Sequence, residues 1–75
     1  MSAQLFKTNI KHLRIIKRLS MRKYCDGINF DRRRYQHYEA GRCQPDIDTI
    51  EIIAESHNVT LDELLTKDLT NKISN

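Results

Sequence analysis

SMRKYCDGINFDRRRYQHYE, the stretch from Ser20 to Glu39, predicts two short helices joined by a tight turn. Met21, Tyr24, Cys25 and Ile28 stand at i, i+3, i+4 and i+7, which is one face of a helix. Ser20 is placed to cap its N-terminus. Asn29 tolerates the left-handed backbone that a tight turn needs, and Phe30 brings the chain back toward the core. Asp31 is a second N-cap, and the helix it opens turns Tyr35 and Tyr38 inward. At 100° per residue, Arg32, Arg33, Gln36 and His37 share the opposite face, which carries no apolar side chain.

Stability alone does not account for that second helix. Arg32, Arg33 and Arg34 occupy its first turn, where the positive end of the helix dipole disfavours cations by about 0.3–1 kcal/mol each. Asp31 offsets only part of this. Three arginines at such a place call for an anion from outside, and nucleic acid is the obvious polyanion.

Working outward, Leu5, Phe6, Ile10, Leu13 and Ile16 form the core stripe of a first helix running roughly from Ala3 or Thr8 to Arg18, with Ile15 on its far side. After Glu39, Gly41 suits the left-handed position that ends a helix, and Pro45 prevents its continuation. Asp46 caps a fourth helix whose inward face is read as Ile47, Ile50, Ile53, Ala54 and His57, with Asn58 as its stop and Ile52 pointing away. Thr60-Leu61-Asp62-Glu63 has the spacing of a capping box and opens a fifth helix docked by Leu61, Leu64 and Leu65. Leu69 and Ile73 continue the apolar line. The expected division is a domain over residues 1–68 and a short tail, with some helical extension, over 69–75.

Seventy-five residues, 39% hydrophobic and 31% charged, make one small domain with a modest core. No small-molecule effector domain is expected. No apolar run has the length of a membrane span and no secretory leader is evident, so a cytoplasmic location is expected. Cys25 and Cys43 are expected to be thiols, and neither they nor His12, His37 and His57 have zinc-site spacing. No metal or other cofactor is expected. The net charge of +3 hides an asymmetry: up to residue 43 the chain carries eleven basic and three acidic residues, and from residue 44 two basic and seven acidic. Such a dipolar molecule turns its basic half toward a phosphate backbone.

Residues 9–65 resemble the Cro and phage-repressor type of helix-turn-helix domain, without gaps. The match is carried by Leu13-Arg14, Leu19-Ser20, small Cys25 where two helices approach closely, Tyr38-Glu39-Ala40-Gly41, Pro45, the Ile50, Ile53 and Ala54 face, and Val59-Thr60-Leu61-Asp62-Glu63-Leu64-Leu65. The resemblance implies an all-α, five-helix, lambda-repressor-like bundle with a central helix-turn-helix. It also implies that Arg14 pairs with Glu39, locking the first helix to the third. Departures are Met21 where Gln is usual, Asn29 for Gly, and Tyr35 and His57 at usually aliphatic positions.

Within that frame the helix at Arg32 enters the major groove of double-stranded DNA with its N-terminal residues toward base edges. Arg32 or Arg33 can bind guanine O6 and N7, Gln36 can address adenine, and His37 a base or a phosphate. Candidate phosphate contacts are Ser20, Met21 through its backbone N–H, Arg22, Arg34, Arg42 and Gln44. One such module buries little surface on DNA, so a homodimer on an inverted repeat is expected, with Ile52, Leu65 and Leu69 as its outward apolar contact. The function implied is that of a transcriptional regulator: a small phage repressor or Cro-like protein, a restriction-modification controller, or an autorepressing antitoxin. The alternative is an antitoxin or adaptor whose main partner is a protein. An enzyme is not expected, since no nucleophile stands beside a base and there are no paired carboxylates or phosphate loop.

Overall fold

A computed structural model describes residues 3–71 of the chain. Five helices follow one another: α1 (Ala3–Ile16), α2 (Met21–Ile28), α3 (Arg32–Ala40), α4 (Ile47–Ser56) and α5 (Leu61–Thr66), then a 3-10 turn at Leu69–Asn71. There is no strand among the described residues. Ile73 lies outside them.

Each of the last four helices begins on a side chain that accepts an otherwise orphaned backbone N–H. Ser20 Oγ accepts from Lys23 N at 3.1 Å, Asp31 Oδ2 from Arg34 N at 2.9 Å, and Asp46 Oδ1 from Thr49 N at 3.0 Å. Thr60 and Glu63 close a reciprocal capping box, with distances of 3.0 and 2.9 Å. Such caps contribute about 1 kcal/mol each. The first four helices also end alike. Arg18, Asn29, Gly41 and Asn58 adopt φ of 60°, 57°, 74° and 57°. In every case the following N–H donates to the carbonyl five residues back: Leu19 to Arg14, Phe30 to Cys25, Arg42 to His37 and Val59 to Ala54. Leu19, Phe30 and Val59 then pack against the core, so three of these closures also bury an apolar side chain.

The core is drawn from all five helices: Phe6, Ile10 and Leu13 of α1, Tyr24 and Cys25 of α2, Tyr35 and Tyr38 of α3, Ile50, Ile53 and Ala54 of α4, and Leu64 of α5. Two expectations need correction. The first helix ends at Ile16, because Arg18 takes the left-handed turn instead of continuing it. Ile47 is not inward; it is 60% exposed, while Thr49 on the other flank of α4 is buried. His57 is buried and stacks on Tyr24, with ring centroids 5.0 Å apart and 1° between planes. The Tyr24 hydroxyl hydrogen-bonds Ser56 Oγ.

Asn9 is a polar residue at 0% exposure in the middle of the α1 stripe. Its Nδ2 donates to the carbonyls of Leu64 at 3.0 Å and Lys67 at 2.6 Å, and its Oδ1 accepts from Leu69 N at 2.8 Å. One amide thus ties the end of α5 and the 3-10 turn to α1. Asn9→Leu keeps the branched outline, with somewhat more bulk, but leaves these backbone groups without the amide, and unsatisfied buried groups cost about 1–3 kcal/mol each. The expected result is a urea midpoint lowered by the equivalent of at least about 2 kcal/mol. An unchanged midpoint would contradict the role given to Asn9.

Burial, with the nearby charges of Glu39, Asp26 and Asp31 adding to it, pushes the Cys25 thiol from 9.0 up to about 11. Burial likewise pushes the Tyr24 hydroxyl from 10.0 up to about 12, against the opposing effect of its bond to Ser56. In the unfolded chain both groups release their protons earlier than in the fold. The contribution of these two groups to stability is therefore whole below pH 9 and is lost as pH rises from there through 11 and 12. Urea midpoints measured from pH 7 upward should hold to about 9 and then decline, with the first part of the decline smaller in Cys25→Ala. A midpoint flat through pH 11 would contradict this.

Candidate nucleic-acid interface

The inner side of α3 is fixed at several points. Tyr35 is fully buried and Tyr38 nearly so. Tyr24 and Tyr35 rings meet at 5.1 Å, and Phe30 and Tyr38 rings at 6.1 Å. Glu39 is held by Arg14 through two bonds, Nε to Oε2 at 2.7 Å and Nη2 to Oε1 at 3.0 Å, while Arg14 Nη1 donates to the Leu19 carbonyl at 2.7 Å. The two side chains are 10% and 6% exposed. The hydrogen bond to Glu39 raises the Arg14 pKa against the opposing effect of burial. Tyr35 lies beside the same pair, and its burial next to the Glu39 carboxylate pushes its hydroxyl pKa far up. Arg14 thereby joins α1, α3 and the turn at Leu19 in one network.

Outward, α3 exposes Arg32, Arg33, Gln36 and Ala40, with His37 half-buried between the outer and inner faces. Arg33, Gln36, His37, Ala40 and Arg42 line a shallow hollow of about 300 Å³. Of the residues expected to meet bases, this hollow brings Arg33, Gln36 and His37 together; Arg32 stands outside it. It also brings in Arg42 from the loop after α3, a residue expected at phosphate.

The remaining phosphate candidates belong to the start of α2, the first turn of α3 and the loop after it. Ser20, Arg22 and Gln44 are exposed, and the Ser20 hydroxyl oxygen is engaged as the α2 cap. Met21 is half-buried against the core, so it can offer an anion only backbone N–H. Arg34 is exposed, but its Nη2 donates to the Tyr38 hydroxyl at 3.1 Å and its guanidinium lies 5.4 Å from the Phe30 ring centre.

Ala40 in the hollow, and Phe30 and Tyr38 around Arg34, were not singled out for binding from the sequence, where Phe30 and Tyr38 read simply as core. The i, i+4 spacing of Arg34 and Tyr38 was the available signal.

A second concavity has the loop after α3, Gln44 included, as part of its wall. Phe6, Tyr38, Pro45, Ile47, Ile50 and Leu65 form most of an apolar cleft of about 360 Å³. Of the three residues expected on an outward apolar surface, Ile52 is 42% exposed, whereas Leu65 and Leu69 are half-buried against the core. Leu65 is in the cleft with the exposed Ile47. Cys25 is a buried thiol and Cys43 an exposed one. Among the described residues no three His, Cys, Asp or Glu side chains converge as a metal ion requires, and no helix is long and apolar enough to cross a membrane.

Residues 10–64 match the family model described as helix-turn-helix. The chain is similar to the cryptic phage CTXphi transcriptional repressor RstR of Vibrio cholerae, at 30% identity over 67 residues. That match covers 89% of this chain and 60% of the relative, so the chain spans about 60% of the length of the curated relative it matches. No solved structure matches.

Proposed function

The chain belongs to the helix-turn-helix family of the Cro and phage-repressor type, and from that premise we propose that it is a transcriptional regulator that binds double-stranded DNA sequence-specifically. The observation that carries this is the outward face of α3. Arg32, Arg33 and Gln36 project from a capped helix whose inner side is pinned by two buried tyrosines and a buried ion pair. A cationic, polar ridge held that rigidly suits groove insertion, and solubility alone would not require it.

On this reading α3 lies in the major groove with its first turn leading. Arg32 and Arg33 address guanine, Gln36 adenine, and His37 a base or a neighbouring phosphate. Arg22, Arg34, Arg42, Gln44, Ser20 and the Met21 backbone meet the sugar-phosphate strands on either side. Two copies on an inverted repeat would set their α3 helices about 34 Å apart. Ile52, the cleft holding Leu65 and Ile47, and the half-buried Leu69 are the apolar surfaces for such a pairing to cover. The similarity to a phage transcriptional repressor favours repression as the sign of regulation, and a DNA target in the cytoplasm fits.

The apolar cleft also supports a second reading, an antitoxin or adaptor whose main partner is a protein and whose DNA binding is secondary. A salt titration separates the two. A protein engaging six or more phosphates should lose about 10³-fold or more in duplex affinity between 50 and 200 mM salt. A shallow dependence would remove DNA as the main partner.

A further inference from the structure

Arg34 differs from the other arginines of its turn in being held before any ligand arrives. On the helix it stands about 100° from Arg33, at the border between the outer face and the buried tyrosines. There its Nη2 donates to the Tyr38 hydroxyl at 3.1 Å, and its guanidinium sits 5.4 Å from the centre of the Phe30 ring. The Phe30 and Tyr38 rings are themselves in contact, with centroids 6.1 Å apart. Tyr38 is buried and Phe30 half-buried, so both are fixed by the core. The charge of Arg34 is also felt at the start of α4. The Asp46 carboxyl is held below its usual range first by hydrogen bonds from Thr49, with the charge of Arg34 as a smaller contribution.

A guanidinium has five N–H donors, and the bond to Tyr38 uses one. Resting against Phe30 and tied to Tyr38, the side chain has given up much of the rotamer freedom that an arginine otherwise loses on binding. We propose that Tyr38 and Phe30 are positioning residues for DNA binding, presetting Arg34 as a clamp for a backbone phosphate at the edge of the major groove. This rests on the proposed function of α3. It adds that two residues of the core, neither of which touches DNA, set the strength of one phosphate contact.

The test uses wild type, Tyr38→Phe, Arg34→Ala and the double variant, with anisotropy of a labelled 30-base-pair duplex of generic sequence read at several salt concentrations. A generic duplex suffices because the contact is to the backbone. Arg34→Ala should weaken binding and lower the salt slope by about one per protomer. Tyr38→Phe removes only the hydroxyl, so binding should weaken by about 3- to 10-fold per protomer with the wild-type slope retained. In the Arg34→Ala background the same change should do nothing, which a general loosening of the fold would not produce. Phe30→Leu, which removes the ring and leaves a smaller apolar side chain, should repeat the pattern. Wild-type affinity in Tyr38→Phe, or an equal loss with and without Arg34, overturns the proposal. If wild type binds and Arg34→Ala changes nothing, this inference alone fails; if wild type binds no duplex, the function of α3 fails with it.

Discussion

Glu39→Ala should lower the stability of the domain by about 3 to 5 kcal/mol, as expected when a buried ion pair loses one partner. The carboxylate is 6% exposed and receives two bonds from Arg14. Its removal leaves a guanidinium that is 10% exposed, still tied to the Leu19 carbonyl and without its counter-charge. A domain of this size has a total stability of roughly 4 to 11 kcal/mol, so the change consumes a large part of it. Each kilocalorie shifts Tm by about 4–8 °C at this chain length, and the variant should melt at least about 12 °C below wild type. Arg14→Ala should act alike. A paired replacement, Arg14→Met with Glu39→Leu, should recover much of the loss, because it removes the desolvation cost along with the attraction. Chemical melts of the three variants check this; an unchanged Glu39→Ala midpoint would mean that the pair is wet and does not hold α1 to α3.

The second large effect concerns recognition. Arg33→Ala should cost about 1–3 kcal/mol per half-site on the preferred duplex and relax preference at a single base pair. Arg42→Ala should weaken every sequence by a similar factor and lower the salt slope by about one per protomer. The contrast is informative because the two arginines line the same hollow beside His37. One is expected to point at base edges and the other at the strand. Competition binding with single-base variants of the preferred site separates them. Uniform weakening by Arg33→Ala would make it a backbone contact and turn α3 in the groove by one residue position.

Much of the fold was legible in the sequence because the helices are bounded by local chemistry. Ser20, Asp31, Asp46 and Thr60 are residues whose side chains suit an N-cap, and each accepts the backbone N–H three residues on. Asn29, Gly41 and Asn58 suit the left-handed turn. Arg18 does not, and nothing in its own chemistry marks it; the apolar Leu19 after it, which packs back on the core, is the only local hint. Ile47 was misplaced for a geometric reason. Ile47 stands about 70° to one side of the centre of the buried arc of α4 and Thr49 about 90° to the other, too small a difference for periodicity to choose between them. Hydrophobicity favoured Ile47, and packing covered Thr49 instead.

Asn9 escaped altogether, since its partners are backbone groups 55 to 60 residues away and carry no side-chain signature. For the candidate binding face, the outward direction of Arg32, Arg33 and Gln36 followed from a 100° repeat, whereas the hollow uniting Arg33, His37 and Arg42 depends on how the loop after α3 folds back. The clamp around Arg34 is of the same kind. Its i, i+4 neighbour was visible, but the ring of Phe30 comes from the preceding turn.

Selection from a pool of random-sequence duplexes with the purified protein tests the central claim most directly, because it asks whether α3 reads DNA without assuming what it reads. The predicted result is an enriched inverted repeat, its half-sites about one helical turn apart, with a guanine preference that disappears in Arg32→Ala or Arg33→Ala. A pool that emerges without any shared motif, from a protein that stays folded through the experiment, would contradict it.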